Sequence, residues 1–218
     1  MSTKSKASPI LPARITVLAG VNGSGKSSLM GALLHQKGVS FFNPDAFARM
    51  LRKVDASLSI EAANGEAWNV GRKQLEHAIK NKASYNFEST LGANTIPKLL
   101  KQAALEGLEV VIWYCGLTTP ELNIQRVAQR VAKGGHDIPE DKIRSRWISS
   151  RENLIHLLPF LTEVKVFDNS AEATAQPDGG LAPAPVLLLH VRGKKIVACS
   201  PKPPAWAKPI IAAARLNA

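Results

Sequence analysis

The chain has 218 residues, 45% of them hydrophobic, and two cysteines, Cys115 and Cys199. That length and apolar content suit one α/β domain with a full core. So few cysteines imply no disulfide framework and fit a reducing cytoplasm. No apolar run approaches the length that spans a membrane, and Pro12 and Arg14 interrupt the stretch after the basic N-terminus, which argues against a signal peptide. The formal charge of +11 favours phosphate-rich partners, namely nucleotides, nucleotide sugars or nucleic acid, and does not choose among them.

Residues 1–13 read as a flexible lead-in. Ile15-Thr16-Val17-Leu18-Ala19 is short, apolar and β-branched, the pattern of a buried parallel strand. It runs into Gly20-Val21-Asn22-Gly23-Ser24-Gly25-Lys26-Ser27, which fits the phosphate-binding pattern G-x-x-x-x-G-K-[ST]. The following segment, from Ser28 to a break at Gln36-Lys37-Gly38, has helical character, so strand, glycine loop and helix occur in the order the motif needs. The glycines admit backbone angles closed to other residues, and the loop amides converge on an anion at a helix N-terminus. Lys26 carries a charge to the outer phosphates, and the Ser27 hydroxyl can ligate Mg²⁺. Gly20, Val21, Asn22, Gly23, Ser24, Gly25, Lys26, Ser27 and Ser28 are therefore the expected nucleotide cradle.

Val39-Ser40-Phe41-Phe42 is a second short strand, stopped at Asn43-Pro44-Asp45. Residues 55–82 read as helical, with Ala62, Ala63, Ala67, Val70, Leu75, Ala78 and Ile79 as apolar positions, although glycines 65 and 71 weaken a helix. Ser84 to Glu88 is a third strand, Ile96 to Leu105 a helix, and Val110 to Cys115 a buried strand. Thr118-Thr119-Pro120-Glu121 starts another helix with a cap, an early proline and an acid. On it Ile124, Val127, Ala128 and Val131 share one face, with Arg126, Arg130 and Lys133 opposite. Gly134-Gly135 breaks this helix, and the next starts near Pro139 with Ile143, Trp147 and Leu154 on one stripe. Val164 to Phe167 is a fifth strand. A linker-like segment over 171–185 leads to a possible hairpin, Val186 to Val191 with Lys195 to Cys199. Alternating strands and helices predict an α/β fold with a mainly parallel sheet of about five strands. The expected organisation is a nucleotide-binding domain over 14–175 and a Pro/Ala-rich extension over 176–218 packed on it. Ligands should sit at the carboxyl ends of the strands.

Two acids stand where strands end. Asp45 suits the role of general base toward an attacking hydroxyl, and it also fits a helix cap before Ala46-Phe47-Ala48-Arg49. Glu88 can orient a Mg²⁺-bound water or, with Thr90, meet an acceptor. Phosphoryl transfer spreads negative charge that arginines neutralise. Arg126 and Arg130, one helical turn apart, precede the Gly134-Gly135 hinge, and Arg144 and Arg146 follow it, which is the layout of a lid over 126–146. Arg126 and Arg130 are the expected phosphoryl clamp, with Arg144 as a substrate contact.

Several ordered pieces together resemble the zeta-toxin family of P-loop kinases: Ala19 to Ser27, Phe42-Asn43-Pro44-Asp45, Phe87-Glu88-Ser89-Thr90-Leu91, Arg126 through Arg130 to Gly134-Gly135-His136-Asp137-Ile138-Pro139, and Phe167-Asp168-Asn169-Ser170. The resemblance implies an enzyme using ATP and Mg²⁺ to phosphorylate the 3′-hydroxyl of UDP-N-acetylglucosamine. It implies that Lys26 and Ser27 hold phosphate and metal, that Asp45 activates the hydroxyl, that Arg126 and Arg130 clamp the phosphoryl group, and that Asn169 and Ser170 lie near the adenine. The family often has Glu-Thr-Thr where this chain has Glu88-Ser89-Thr90. A small antitoxin covering the ATP site is the partner the resemblance suggests. The residues themselves leave two other readings open: a kinase for a nucleoside, an antibiotic or an RNA end, and an ATP-dependent switch without an acceptor.

Overall fold

The structure, a computed structural model, describes residues 12–27, 41–172, 174–175, 181–182 and 184–218. The lead-in before residue 12, Ser28 with the helix expected to reach Gly38, Val39-Ser40 and the segment 176–180 lie outside the described residues.

A six-stranded sheet organises the molecule, in the order Tyr85–Ser89, Arg14–Ala19, Glu109–Gly116, Glu163–Asp168, Val186–Arg192, Lys195–Cys199. Strands β1 (Arg14–Ala19), β2 (Tyr85–Ser89), β3 (Glu109–Gly116) and β4 (Glu163–Asp168) are parallel. β1 lies between β2 and β3, so the chain leaves its carboxyl end at a point where successive strands go to opposite sides. In open α/β sheets that is where ligands bind. Ile15, Val17, Val110, Ile112, Val164 and Val166 are buried, the β-branched pattern of strands covered on both faces. Phe42 makes an isolated parallel bridge to Phe87, so the described end of the expected second strand contributes one rung beside β2.

Six helices lie among the described residues: α1 (Pro44–Val54), α2 (Ile60–Lys80), α3 (Thr95–Leu105), α4 (Pro120–Ala132), α5 (Glu140–Leu157) and α6 (Lys208–Leu216). The sequence predicts one helix over 55–82; the structure has a corner there. Asp55 ends α1 and holds the Ser57 amide at 2.9 Å, while the Ser59 hydroxyl caps α2 by accepting from the Ala62 amide at 3.1 Å. Ala62 and Ala128, expected in the core, are exposed. The inner face of α4 instead carries Asn123, buried beside Val127, and Arg126 and Arg130 are half-buried.

The expected hairpin forms from β7 (Val186–Arg192) and β8 (Lys195–Cys199), and β7 pairs antiparallel with β4, extending the main sheet. Two short strands, β5 (Thr174–Ala175) and β6 (Leu181–Ala182), pair separately. Past the hairpin, Trp206 is 4% exposed and lies against Gly116, its ring 6.3 Å from that of Tyr114. With Ile210, Ile211 and Ala214 of α6 it belongs to the principal core cluster that holds Val110 and Val166.

Candidate active site

The glycine loop follows β1 directly. Gly20 has φ +142° and its missing Cβ would collide with the Cys115 carbonyl; Gly23 has φ +81° and presses on the backbone of Asn123. Both conformations and both approaches exclude a side chain. Three side chains hold the loop by its carbonyls. Asn123 Nδ2 donates to the Asn22 oxygen at 2.8 Å, and Asn169 Nδ2 and Cys115 Sγ donate to the Ser24 oxygen at 2.9 and 3.1 Å. In a planar trans peptide the N–H points opposite the C=O, so anchoring these carbonyls turns the Gly23 and Gly25 amides to the other side. Burial pushes the Cys115 thiol up to about 12, which leaves it a neutral donor.

Lys26 is half-buried at the start of the following helix. Desolvation pulls its pKa below the ordinary lysine value, opposed by the nearby carboxylates of Glu88 and Asp45. These two acids come from different elements and line the same cleft as the lysine.

Glu88 is the penultimate residue of β2 and is 8% exposed. Its Oε2 accepts from the Ser27 hydroxyl at 2.7 Å, and its Oε1 accepts from Asn43 Nδ2 at 3.0 Å. The Ser27 hydroxyl and the Glu88 carboxylate are hard oxygens suited to Mg²⁺, which takes one or two protein ligands and completes its shell with phosphate and water. Among the described residues no cluster of three or more His, Cys, Asp or Glu offers an all-protein metal cage.

Asn43, not Asp45, caps α1: its Oδ1 accepts from the Ala46 amide at 3.0 Å. Asp45 therefore sits in the first turn with its carboxylate uncommitted to capping. It faces Arg130, with Oδ2 3.8 Å from Nη1. Arg130 also donates to the His136 carbonyl at 2.7 Å, fixing the segment after α4, and its buried Nε has no hydrogen-bond partner.

The two arginines of α4 diverge. Arg126 reaches the other way, donating to the Ser170 and Ala171 carbonyls at 3.4 and 2.9 Å after β4. Arg144 stands apart from the cleft: its guanidinium bonds Glu121 at 2.5 Å and approaches Glu140 at 3.8 Å on the exposed side of α5. The neighbouring Arg146 lines the cleft instead. It donates to Asn22 Oδ1 at 2.9 Å, and its stem lies against Gly92. Burial lowers its pKa from the ordinary arginine value, opposed first by Asp45. The sequence names Arg146 only beside Arg144. It lies 60° to one side of Ile143 on a helical wheel while Arg144 lies 100° to the other, and which flank meets the cleft is a matter of packing.

These groups surround a cleft of about 380 Å³ at the carboxyl ends of β1 and β2. Lys26, Asp45, Glu88, Thr90, His136 and Arg146 line it, and Asn64, Trp68 and Arg72 of α2 form its far wall. The arrangement provides a phosphate loop, a pair of hard oxygens suited to a metal, a carboxylate at Asp45 free of capping, and two guanidiniums, Arg72 and Arg146, that line the cleft. None of the helices among the described residues is long and apolar enough to cross a membrane.

A family model described as Zeta toxin matches residues 2–176. A Haemophilus influenzae protein described as "Uncharacterized protein" is 33% identical over 133 residues, covering 59% of this chain and 88% of its own. Among solved structures, AvrRxo1-ORF1:-ORF2 with ATP superposes with a TM-score of 0.61 at 18% identity, over 87% of this chain and 61% of that one. The chain thus spans about three-fifths of the length of that relative. A chain of the PezAT chromosomal toxin-antitoxin system of Streptococcus pneumoniae superposes with a TM-score of 0.53 at 13% identity, over 99% of this chain and 89% of that one. At such identities the likeness to the solved structures speaks for the fold. The sequence match over most of the chain, on a fold that carries the phosphate loop at its switch point, speaks for descent: the chain belongs to the zeta-toxin family.

Proposed function

We propose that this protein is an ATP-dependent kinase that transfers the γ-phosphoryl group to a sugar hydroxyl, with the 3′-hydroxyl of UDP-N-acetylglucosamine as acceptor. The observation that carries the reading is that Lys26, Asp45 and Glu88 line one cleft, with Arg130 3.8 Å from Asp45. A carboxylate beside the phosphate loop and free of capping duty is what in-line attack by a hydroxyl needs.

In this reading the P-loop amides and Lys26 hold the β- and γ-phosphates. Ser27 and Glu88 are the residues that would hold Mg²⁺, which offsets phosphate charge when bound. Asp45 accepts the proton of the acceptor hydroxyl. The acceptor oxygen forms its bond to the γ-phosphorus as the bond to the β,γ-bridging oxygen breaks, and ADP leaves with that bridging oxygen. Arg130 and Arg146 stabilise the equatorial oxygens, and Arg126 braces the segment after Asn169 and Ser170 beside the nucleotide. Thr90 contacts the acceptor, while Arg144 supports the lid through Glu121. A small antitoxin protein covering the phosphate loop is a proposed partner, in line with the system to which the PezAT chain belongs.

The test is mass spectrometry of UDP-N-acetylglucosamine incubated with the protein, ATP and Mg²⁺. The expected product carries one added phosphate and appears with stoichiometric ADP. ADP release at the same rate with and without any acceptor would favour a switch over a kinase. Labelling of another acceptor class alone would keep the kinase and replace its substrate.

A further inference from the structure

A second cavity, of about 310 Å³, opens between α1 and α2. Its size is at the low end of small-molecule sites. Ala48 and Ala63, buried where the two helices pack, leave the hollow, and Arg49, Arg52 and Lys53 line it. Asp45 is the one carboxylate among its described lining residues, and it already faces Arg130 at 3.8 Å.

The three cations share one face of α1, at i, i+3 and i+4, where like charges repel. On other helices Arg72 is matched by Glu76, and Arg144 by Glu121 and Glu140. Among the described residues Arg49, Arg52 and Lys53 enter no ion pair. Arg52 is also oriented: its Nε donates to the Leu58 carbonyl at 3.2 Å, which holds the guanidinium by one edge before any ligand arrives. Like charges around a hollow, unmatched by acids, favour an oxyanion with more than one negative charge. Such a ligand relieves the repulsion and accepts charge-assisted hydrogen bonds from two guanidiniums.

We propose that this hollow is a second anion site, separate from the phosphate loop, for a small polyphosphate such as inorganic pyrophosphate. Arg49 and Arg52 take its phosphate oxygens with forked N–H groups, and Lys53 supplies a point charge. A concave pocket favours a compact ligand over a nucleic-acid backbone, which needs a groove that tracks it. Asp45, Asn64 and His136 line both the hollow and the cleft. An anion held here therefore sets its charge near the Asp45 carboxylate without occupying the phosphate loop, the position of a regulator rather than of a reactant. The site does not depend on which acceptor the cleft takes.

The experiment is calorimetry on the full chain, with the phosphate loop filled first by a non-hydrolysable ATP analogue and equimolar Mg²⁺. Pyrophosphate is then expected to bind at one site per chain, more tightly than inorganic phosphate. Arg49→Gln and Arg52→Gln should each weaken it by about tenfold or more, as for loss of a hydrogen bond to a charged group. The analogue should bind each variant within about twofold of wild type, which shows that the variants are folded. Lys194→Gln, in the turn between β7 and β8, removes the same charge and should leave pyrophosphate binding unchanged. No saturable pyrophosphate binding, binding unaffected by Arg49→Gln and Arg52→Gln, or equal weakening in all three variants would each overturn the proposal. A single-stranded oligonucleotide that binds where pyrophosphate does not, and responds to Arg49→Gln, would overturn it in favour of an extended polyanion. Failure of the analogue itself to bind would count against the kinase reading and not against the hollow, which the comparison of variants still decides.

Discussion

The Asp45 carboxylate and the Arg130 guanidinium stand 3.8 Å apart, although 85 positions of sequence separate them. One belongs to the first turn of α1, the other to the last turn of α4, and both act on the electrostatics around Lys26. The pair is over a third exposed on each side, so its value is positional: it holds a carboxylate and a guanidinium from two separate helices next to one another.

Asp45→Asn is expected to lower phosphoryl transfer by about 10²–10⁴-fold, the usual contribution of a positioned base. Affinity for ATP should hold, since Asp45 makes no hydrogen bond to the loop. Product formation from UDP-N-acetylglucosamine, measured beside binding of an ATP analogue, checks both halves. Wild-type turnover in the variant would remove Asp45 from this role.

The two arginines of α4 should separate kinetically. Arg130→Ala should lower kcat by about 10²–10³-fold, as for loss of one donor to a transition-state oxygen. Arg126→Ala should act mainly on the KM for ATP, because its guanidinium braces the carbonyls of Ser170 and Ala171. Steady-state kinetics on both variants decide it; matching effects on kcat would mean that the two act as one clamp.

Cys115 should resist thiol reagents in the native state while Cys199, half-buried on β8, reacts. Because burial raises the Cys115 pKa from 9.0 to about 12, folding favours the protonated thiol. That stabilisation is complete below pH 9 and is lost as pH climbs toward 12, since the unfolded chain gives up its proton first. Cys115→Ser keeps a donor for the Ser24 carbonyl without titrating in this range. Its stability, followed by denaturant melts, should fall less steeply above pH 9 than that of the parent.

Trp206 should be a stability residue with no part in chemistry. Trp206→Ala is expected to cost about 3–5 kcal/mol, the range for emptying a large buried aromatic. Gly116→Ala should also destabilise the fold, because a methyl there would enter the indole ring. Thermal melts of the two variants give the comparison; an unshifted Tm in Gly116→Ala would show that Trp206 can move away without cost.

Local chemistry was readable along the chain. Glycines at 20, 23 and 25 before a lysine and a serine announce a phosphate loop, because only backbone freedom and a helix start serve that purpose. The β-branched runs announce buried strands. Thr119-Pro120 announces a helix start, and the Thr119 hydroxyl does accept from the Leu122 amide at 3.3 Å. Each of these signals depends on neighbours a few residues apart. The start of α2 was harder: the expected helix over 55–82 takes in residues 55–59, which form the turn after α1, because the Asp55 and Ser59 caps are ordinary surface residues.

What the sequence left open were the choices between flanks and between distant partners. Arg126 and Arg130 share a helix and a spacing, yet one goes to the strand-end carbonyls and the other to Asp45. Arg144 and Arg146 straddle the buried stripe of α5, and only the packing of Ile143 and Trp147 onto the core turns Arg146 into the cleft and leaves Arg144 outside with Glu121. The prolines around Trp206 carry no periodic signal, so its place under Gly116 emerges only once β7 has joined β4 and brought the C-terminus back across the sheet. Periodicity fixes which residues of an element face inward; which neighbour they then meet is set by long-range burial, and burial is a property of the whole fold.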